Sequence, residues 1–192
     1  MTAKELIDTW NTTKIIKFNK DELTSLGVDD STIDVLSNLG LPEDAAPFLI
    51  FGGLHRGKTI ADVYETKNPY DKFLIEIGID GLGDTICIDL LNNNKIVACD
   101  HEDNFKKRYM NSSVTELLYF ITQYRNFIQN LISKKGENAF IDANFTDEEL
   151  EYLINQFNHS DREALEKGSY WDGEIQTLKT NREYYKQQGH RR

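Results

Sequence analysis

Disulfide frameworks, membrane insertion and nucleic-acid binding all lack their usual materials in this sequence. Two cysteines in 192 residues cannot build the dense framework of a small secreted domain. No apolar run approaches the roughly 20 residues that a helical membrane span needs. Met1-Thr-Ala-Lys-Glu-Leu-Ile-Asp8 lacks the apolar stretch of a secretory signal. Positive charge is scarce too: 22 Lys and Arg against 32 Asp and Glu leave a net charge of -10. Five of the cations and one glutamate lie in Lys179 to Arg192, so the rest of the chain is more acidic still. Such a body repels nucleic-acid phosphates and attracts basic protein surfaces. These absences point to a cytoplasmic protein with neither membrane nor nucleic acid as partner.

What is present is enough for a core. Hydrophobic residues reach 39% and aromatics 11%, too much for a disordered chain. The length suits one domain, expected over residues 1–178 with a polar basic tail at 179–192. Thr2 to Trp10 reads as a helix and Lys14 to Phe18 as a strand. Ser31 to Leu39 reads as a helix with Ser31 as N-cap and Gly40 as stop. Pro42 suits the first position of a short helical turn, with Glu43 and Asp44 at its positive end. Pro47 then favours extension through Phe48 to Phe51.

Strand-like runs follow at close spacing, and so short a connection permits only antiparallel pairing. Phe73, Ile75, Ile77 and Ile79 share one face, as do Ile86, Ile88 and Leu90. Asp80-Gly-Leu-Gly-Asp84 and Asn92-Asn-Asn94 supply the reversals. Cys87 and Cys99 fall in neighbouring strands. A three-residue loop at Asn92 to Asn94 sets them opposite each other, and a two-residue loop separates them. In a reducing compartment both are expected to be small core side chains. Ser113-Val-Thr-Glu116 and Thr146-Asp-Glu-Glu149 read as capping boxes. The first opens a long helix through Leu131. The second opens one whose stripe is Leu150, Leu153, Ile154 and Phe157. Residues 181–192 are expected to fray.

One motif demands weighing. Gly52-Gly-Leu-His-Arg-Gly57-Lys58-Thr59 matches a phosphate loop, in which Gly52 and Gly57 frame the amide cradle, Lys58 reaches the outer phosphates and Thr59 holds magnesium. Ile86-Cys-Ile-Asp89 imitates the strand that completes such sites. Topology argues against it. A phosphate loop needs a substantial helix and a parallel sheet. Here Asn68-Pro69 stops any helix beyond Ile60 to Lys67, and Asp89 lies in a tight meander. No nucleotide or other cofactor is therefore expected. Asp100-His101-Glu102-Asp103 offers metal-capable side chains, but alternation along a strand leaves too few converging, and no metal is expected. His55, His101, His159 and His190 are scattered, and none adjoins a nucleophile in an elbow-like turn. No catalytic residues are assigned.

Leu41-Pro-Glu-Asp-Ala-Ala-Pro-Phe48, Gly52, the strand ending Ile77-Gly-Ile-Asp-Gly-Leu-Gly83-Asp84, Ile86 to Asp89 and Val97 to Glu102 together resemble the SUKH superfamily of Smi/Knr-like domains. The likeness is strongest to its bacterial immunity-protein branch. Asn111-Ser-Ser-Val114 fits as well, and Gly168-Ser-Tyr-Trp171 fits more loosely. The match is best over residues 30–132, extends more weakly through 145–178, and has no counterpart in the first twenty residues. The resemblance implies an α+β domain, a central antiparallel sheet flanked by helices. It also implies a non-enzymatic immunity protein that neutralises a cognate toxin of nuclease or nucleic-acid deaminase type. Other relatives act in cell-wall regulation, so a regulatory scaffold is the alternative. A toxin with a basic surface would meet exposed acids at loops and strand ends, for which Asp80, Asp84, Asp100, Glu102 and Asp103 are the candidates.

Overall fold

The computed structural model describes residues 1–10 and 14–189. Helix α1 (Ala3–Asp8) opens with Thr2 and Glu5 closing a capping box. Strand β1 (Ile15–Ile16) is shorter than expected, and α2 (Lys20–Leu26) follows where none was expected. Asn19 caps α2 by accepting from the Asp21 and Glu22 amides, and Gly27 ends it at φ +85°. Helix α3 (Asp30–Ile33) is capped by Asp29, not Ser31. The Asp29 carboxylate reaches the Thr32 amide, while the Ser31 hydroxyl merely donates to it. A π-helical turn, Asp34–Leu39, carries α3 to Gly40. A β-carbon at Gly40 would lie 2.5 Å from the Ile16 carbonyl oxygen, so glycine is required there.

The Pro42 segment is extended, not helical. Strand β2 (Leu41–Pro42) pairs antiparallel with β1, and β3 (Asp44–Ala45) follows. Proline tolerates a two-stranded ribbon because its missing amide can face away from the partner. Nor does Phe48 extend: Ala46-Pro47-Phe48 reverses the chain through a cis Ala46-Pro47 bond and a positive φ at Phe48. Strand β4 (Leu49–Ile50) then returns along β3.

Past the short helix α4 (Ile60–Tyr64) runs the meander β5 (Leu74–Ile79), β6 (Thr85–Asp89), β7 (Lys95–Asp100) and β8 (Lys106–Asn111). The six strands β3 to β8 form one antiparallel sheet in sequence order. Both faces of its centre are buried. One carries Ile75, Ile77, Ile86, Ile88, Ile96, Ala98 and Met110. The other carries Leu74, Cys87, Val97 and Cys99, covered by Ile60 and Phe105. Cys87 lies opposite Val97, and Cys99 opposite Thr85. The link from Leu90 to Asn94 is longer than either loop considered, because Asp89 caps a 3₁₀ turn at Leu90–Asn92. The thiols are free, buried and diagonal on one face. Burial and the neighbouring Cys99 push the Cys87 thiol well up, so it stays protonated and inert.

Helix α5 (Val114–Lys135) packs on the sheet, flanked by α6 (Asp147–Ser160) and α7 (Tyr170–Gly189). Ser113 caps α5, but Glu116 turns away and accepts from the Ser160 hydroxyl. The box at Thr146 and Glu149 is complete. Phe120 stacks on Phe157 with centroids 4.0 Å apart, and Trp171 closes over both. The Trp171 indole donates to Asn111 at 3.0 Å, tying α7 to the end of β8. Helix α7 runs on through residues expected to fray: Arg182 is buried and paired with Asp147 of α6. Residues 190–192 of the tail lie outside the described ones. Phe157→Ala should cost about 3–5 kcal/mol by opening a cavity in this cluster. Tyr152→Ala, on an exposed part of α6, should stay within about 0.5 kcal/mol. Urea unfolding of both variants measures the contrast.

Candidate partner-binding surface

The register places three reversals at one end of the sheet. Ile50 pairs with Ile79, Ile79 with Thr85, Thr85 with Cys99, and Asp100 with Lys106. Hence the turns 46–48, 80–84 and 101–105 lie side by side. The contacts agree: a β-carbon on Gly81 would meet Phe48 Cβ at 2.9 Å, and one on Gly83 would meet the His101 ring at 3.5 Å. All five acids singled out in the sequence belong to this end, but they do not share one role.

Asp80 and Asp84 are not exposed; each retains only 5% of its accessible surface. Asp80 accepts from the Leu82 and Asp84 amides and so builds its own turn. Asp84 accepts from the His101 amide at 3.3 Å and from Arg108 at 2.7 Å, with His101 Nδ1 at 3.1 Å. Asp100 is half-buried and accepts from the Glu102 and Asp103 amides. Glu102 and Asp103 remain exposed, although Asp103 lies 3.4 Å from Lys106. Arg108 was not foreseen in the sequence, because Lys106-Lys-Arg-Tyr-Met-Asn111 carries no apolar alternation to announce a strand. Asp84, Asp100 and His101 bring one ligand atom each within 4.8 Å of one another. Asp84 already has an arginine and an amide on it, and that cluster is accounted for by turn construction.

Carboxylates outnumber cations in this region. Asp80 lies 4.0 Å from Arg108, and Glu174 of α7 faces the same pair. Burial first, then the Asp80 charge, push the Glu174 carboxyl up to about 7, with Arg108 offsetting part of the rise. Burial likewise raises the Asp80 carboxyl, its two amide bonds working the other way. The Glu174 carboxyl thus takes up a proton near neutral pH, and Arg108 is matched by Asp84.

The phosphate-loop motif is used otherwise. The Gly57 amide donates to the Glu76 carbonyl at 2.7 Å, and the Lys58 carbonyl accepts from the Glu76 amide at 2.9 Å. Thr59 pairs with Ile75 and caps α4, its hydroxyl donating to Asp62 at 2.7 Å. The segment is thus an edge addition to β5, and α4 stops at Tyr64, short of the Lys67 expected. Asp89, the aspartate that would complete such a site, is buried and bonded to Lys107 at 2.7 Å.

Behind that segment sits Glu76, buried on the thiol face with Oε2 unpartnered. Burial pushes its carboxyl up to about 7, and the Tyr64 hydroxyl offsets only part of the rise.

A family model described as "SUKH-4 immunity protein" matches residues 1–177. The chain belongs to the SUKH-4 immunity protein family. The match takes in the N-terminal helix and strand, for which the motifs offered no counterpart. No curated protein and no solved structure matches the chain. Among the described residues, no helix is long and apolar enough to cross a membrane.

Two outcomes follow for this SUKH-4 protein. Titration calorimetry should find no saturable binding of magnesium-ATP or magnesium-GTP; micromolar binding abolished by Lys58→Ala would overturn the assignment of Gly52, Gly57, Lys58 and Thr59 to sheet and cap. Glu76 binds a proton in the native state between about pH 4.5 and 7 where the unfolded chain does not, so its contribution to stability falls as pH rises through that window. The stability difference between Glu76→Gln and wild type should therefore move in the variant's favour by on the order of 3 kcal/mol from pH 4.5 to pH 8. Denaturant melts across that range test it.

Proposed function

We propose that this chain is a cytoplasmic, non-catalytic immunity protein that neutralises one cognate toxin by covering its active surface. The family match over residues 1–177 carries this reading. The toxin is of nuclease or nucleic-acid deaminase type, a class whose active surface must attract phosphate and is therefore basic. An acidic protein competes for that surface by charge. Glu102 and Asp103, exposed at the turn end of the sheet, are the acids placed to meet it, with Asp100 fixing their backbone. Asp80 and Asp84 act behind them by shaping the turns. An inhibitor of this kind covers about 800 Å² on each partner, so these acids are one part of a wider contact. It uses no cofactor.

Co-expression with the toxin domain encoded beside this gene should restore growth, and continued toxicity would reject the proposal. Glu102→Lys with Asp103→Lys should slow association with that domain at least about tenfold at low salt and flatten its salt dependence. Stopped-flow mixing at several ionic strengths reads both changes.

A further inference from the structure

The turn end of the sheet carries apolar as well as acidic groups. Phe48 is 77% exposed and Leu82 79% exposed, each at the tip of its reversal. They are neighbours, because Phe48 rests against Gly81. Phe48 also holds φ +63°, a left-handed conformation that costs a bulky residue about 1–2 kcal/mol. The reversal fixes the backbone but does not require an aromatic side chain in water, and such outliers gather at functional sites. Beside Phe48 lies a groove of about 720 Å³ between the β3–β4 hairpin and α5. Its walls include Ala45, Pro47, Ile50, Ile128 and Phe140, with Asp44 on its rim. Among the described residues that line it, the one cation, Arg125, is already engaged. The guanidinium stacks 4.0 Å over the Trp10 ring and donates to Thr9.

We infer that Phe48, Leu82 and this groove form the anchor of the toxin interface, receiving an apolar side chain that cations flank on the toxin. The inference rests on the proposed function and locates its contact. Charge selects the occupant. The patch is bordered on one side by Asp44 and on the other, past Gly83 and His101, by Glu102 and Asp103. Asp103 has Lys106 at 3.4 Å, but an acidic or neutral partner would leave Asp44 and Glu102 unmatched, whereas a basic surface with one protruding apolar residue satisfies both parts. Apolar anchors ringed by polar groups are the usual arrangement of interface hot spots. The division of labour is distinct: the acids govern approach and the apolar patch governs residence.

The test titrates the purified full chain with the toxin domain against which it protects. Phe48→Asn keeps a residue that tolerates positive φ, and Leu82→Ala trims an exposed tip. Each should weaken affinity about 30-fold, through faster dissociation with an unchanged salt slope. Leu54→Ala removes an equally exposed leucine from the Gly52 to Thr59 segment and should change nothing. Thermal melts matching wild type establish that the variants fold; if Phe48→Asn does not, Phe48→Gly replaces it. Wild-type binding with no loss in either Phe48 or Leu82 variants would overturn the anchor while leaving the immunity role standing. Absence of wild-type binding to the neighbouring toxin domain would overturn both. Loss accompanied by slower association and a changed salt slope would likewise reject an apolar anchor.

Discussion

The backbone ladder from β5 to β8 fixes the position of nearly everything else. Its strands follow one another too closely for crossovers, so each must fold back on its predecessor. That constraint assigns alternate turns to opposite ends of the sheet. It also forces both faces of the central strands under cover, since Ile75, Ile86 and Ile96 point one way while Leu74, Cys87 and Val97 point the other. Helices α5, α6 and α7 cover the first face. Ile60 of α4 and Phe105 of the β7–β8 turn cover the second, and the segment that imitates a phosphate loop extends the edge of β5 and caps α4.

Much of this was legible in the sequence. Apolar alternation marked β5 and β6, glycines and asparagines marked their turns, and Ser113 and Thr146 marked the starts of α5 and α6. What escaped had weak local signals or depended on distant partners. Only Leu23 of α2 is fully buried, so that helix shows almost no stripe, although Asn19 and Gly27 were fair signs of its ends. Pro42 reads equally well as a helix start and as an edge residue, and pairing with β1 decided it. The reversal at Phe48 requires a left-handed aromatic, which no propensity would suggest.

The missed strand had the largest consequence. Without β8, Arg108 had no assigned place, and Asp80 and Asp84 looked like free acids at a loop. With β8 in place, an arginine stands against them, and their carboxylates become internal. The acids that remain outside, Glu102 and Asp103, are held by an aspartate whose own role is structural. Burial of acids thus depends on a cation two strands away in sequence, a dependence that composition cannot reveal.

The sheet separates what must stay constant from what is free to vary. The tips of the three adjacent turns, Phe48, Leu82 and residues 101–104, touch the interior little, yet they stand together at its rim. Substitutions or small insertions there leave the ladder and the Phe120–Phe157–Trp171 cluster untouched. On the proposed reading, a lineage in conflict with a changing adversary can rewrite what it recognises within three short stretches, while the scaffold that presents them is inherited whole.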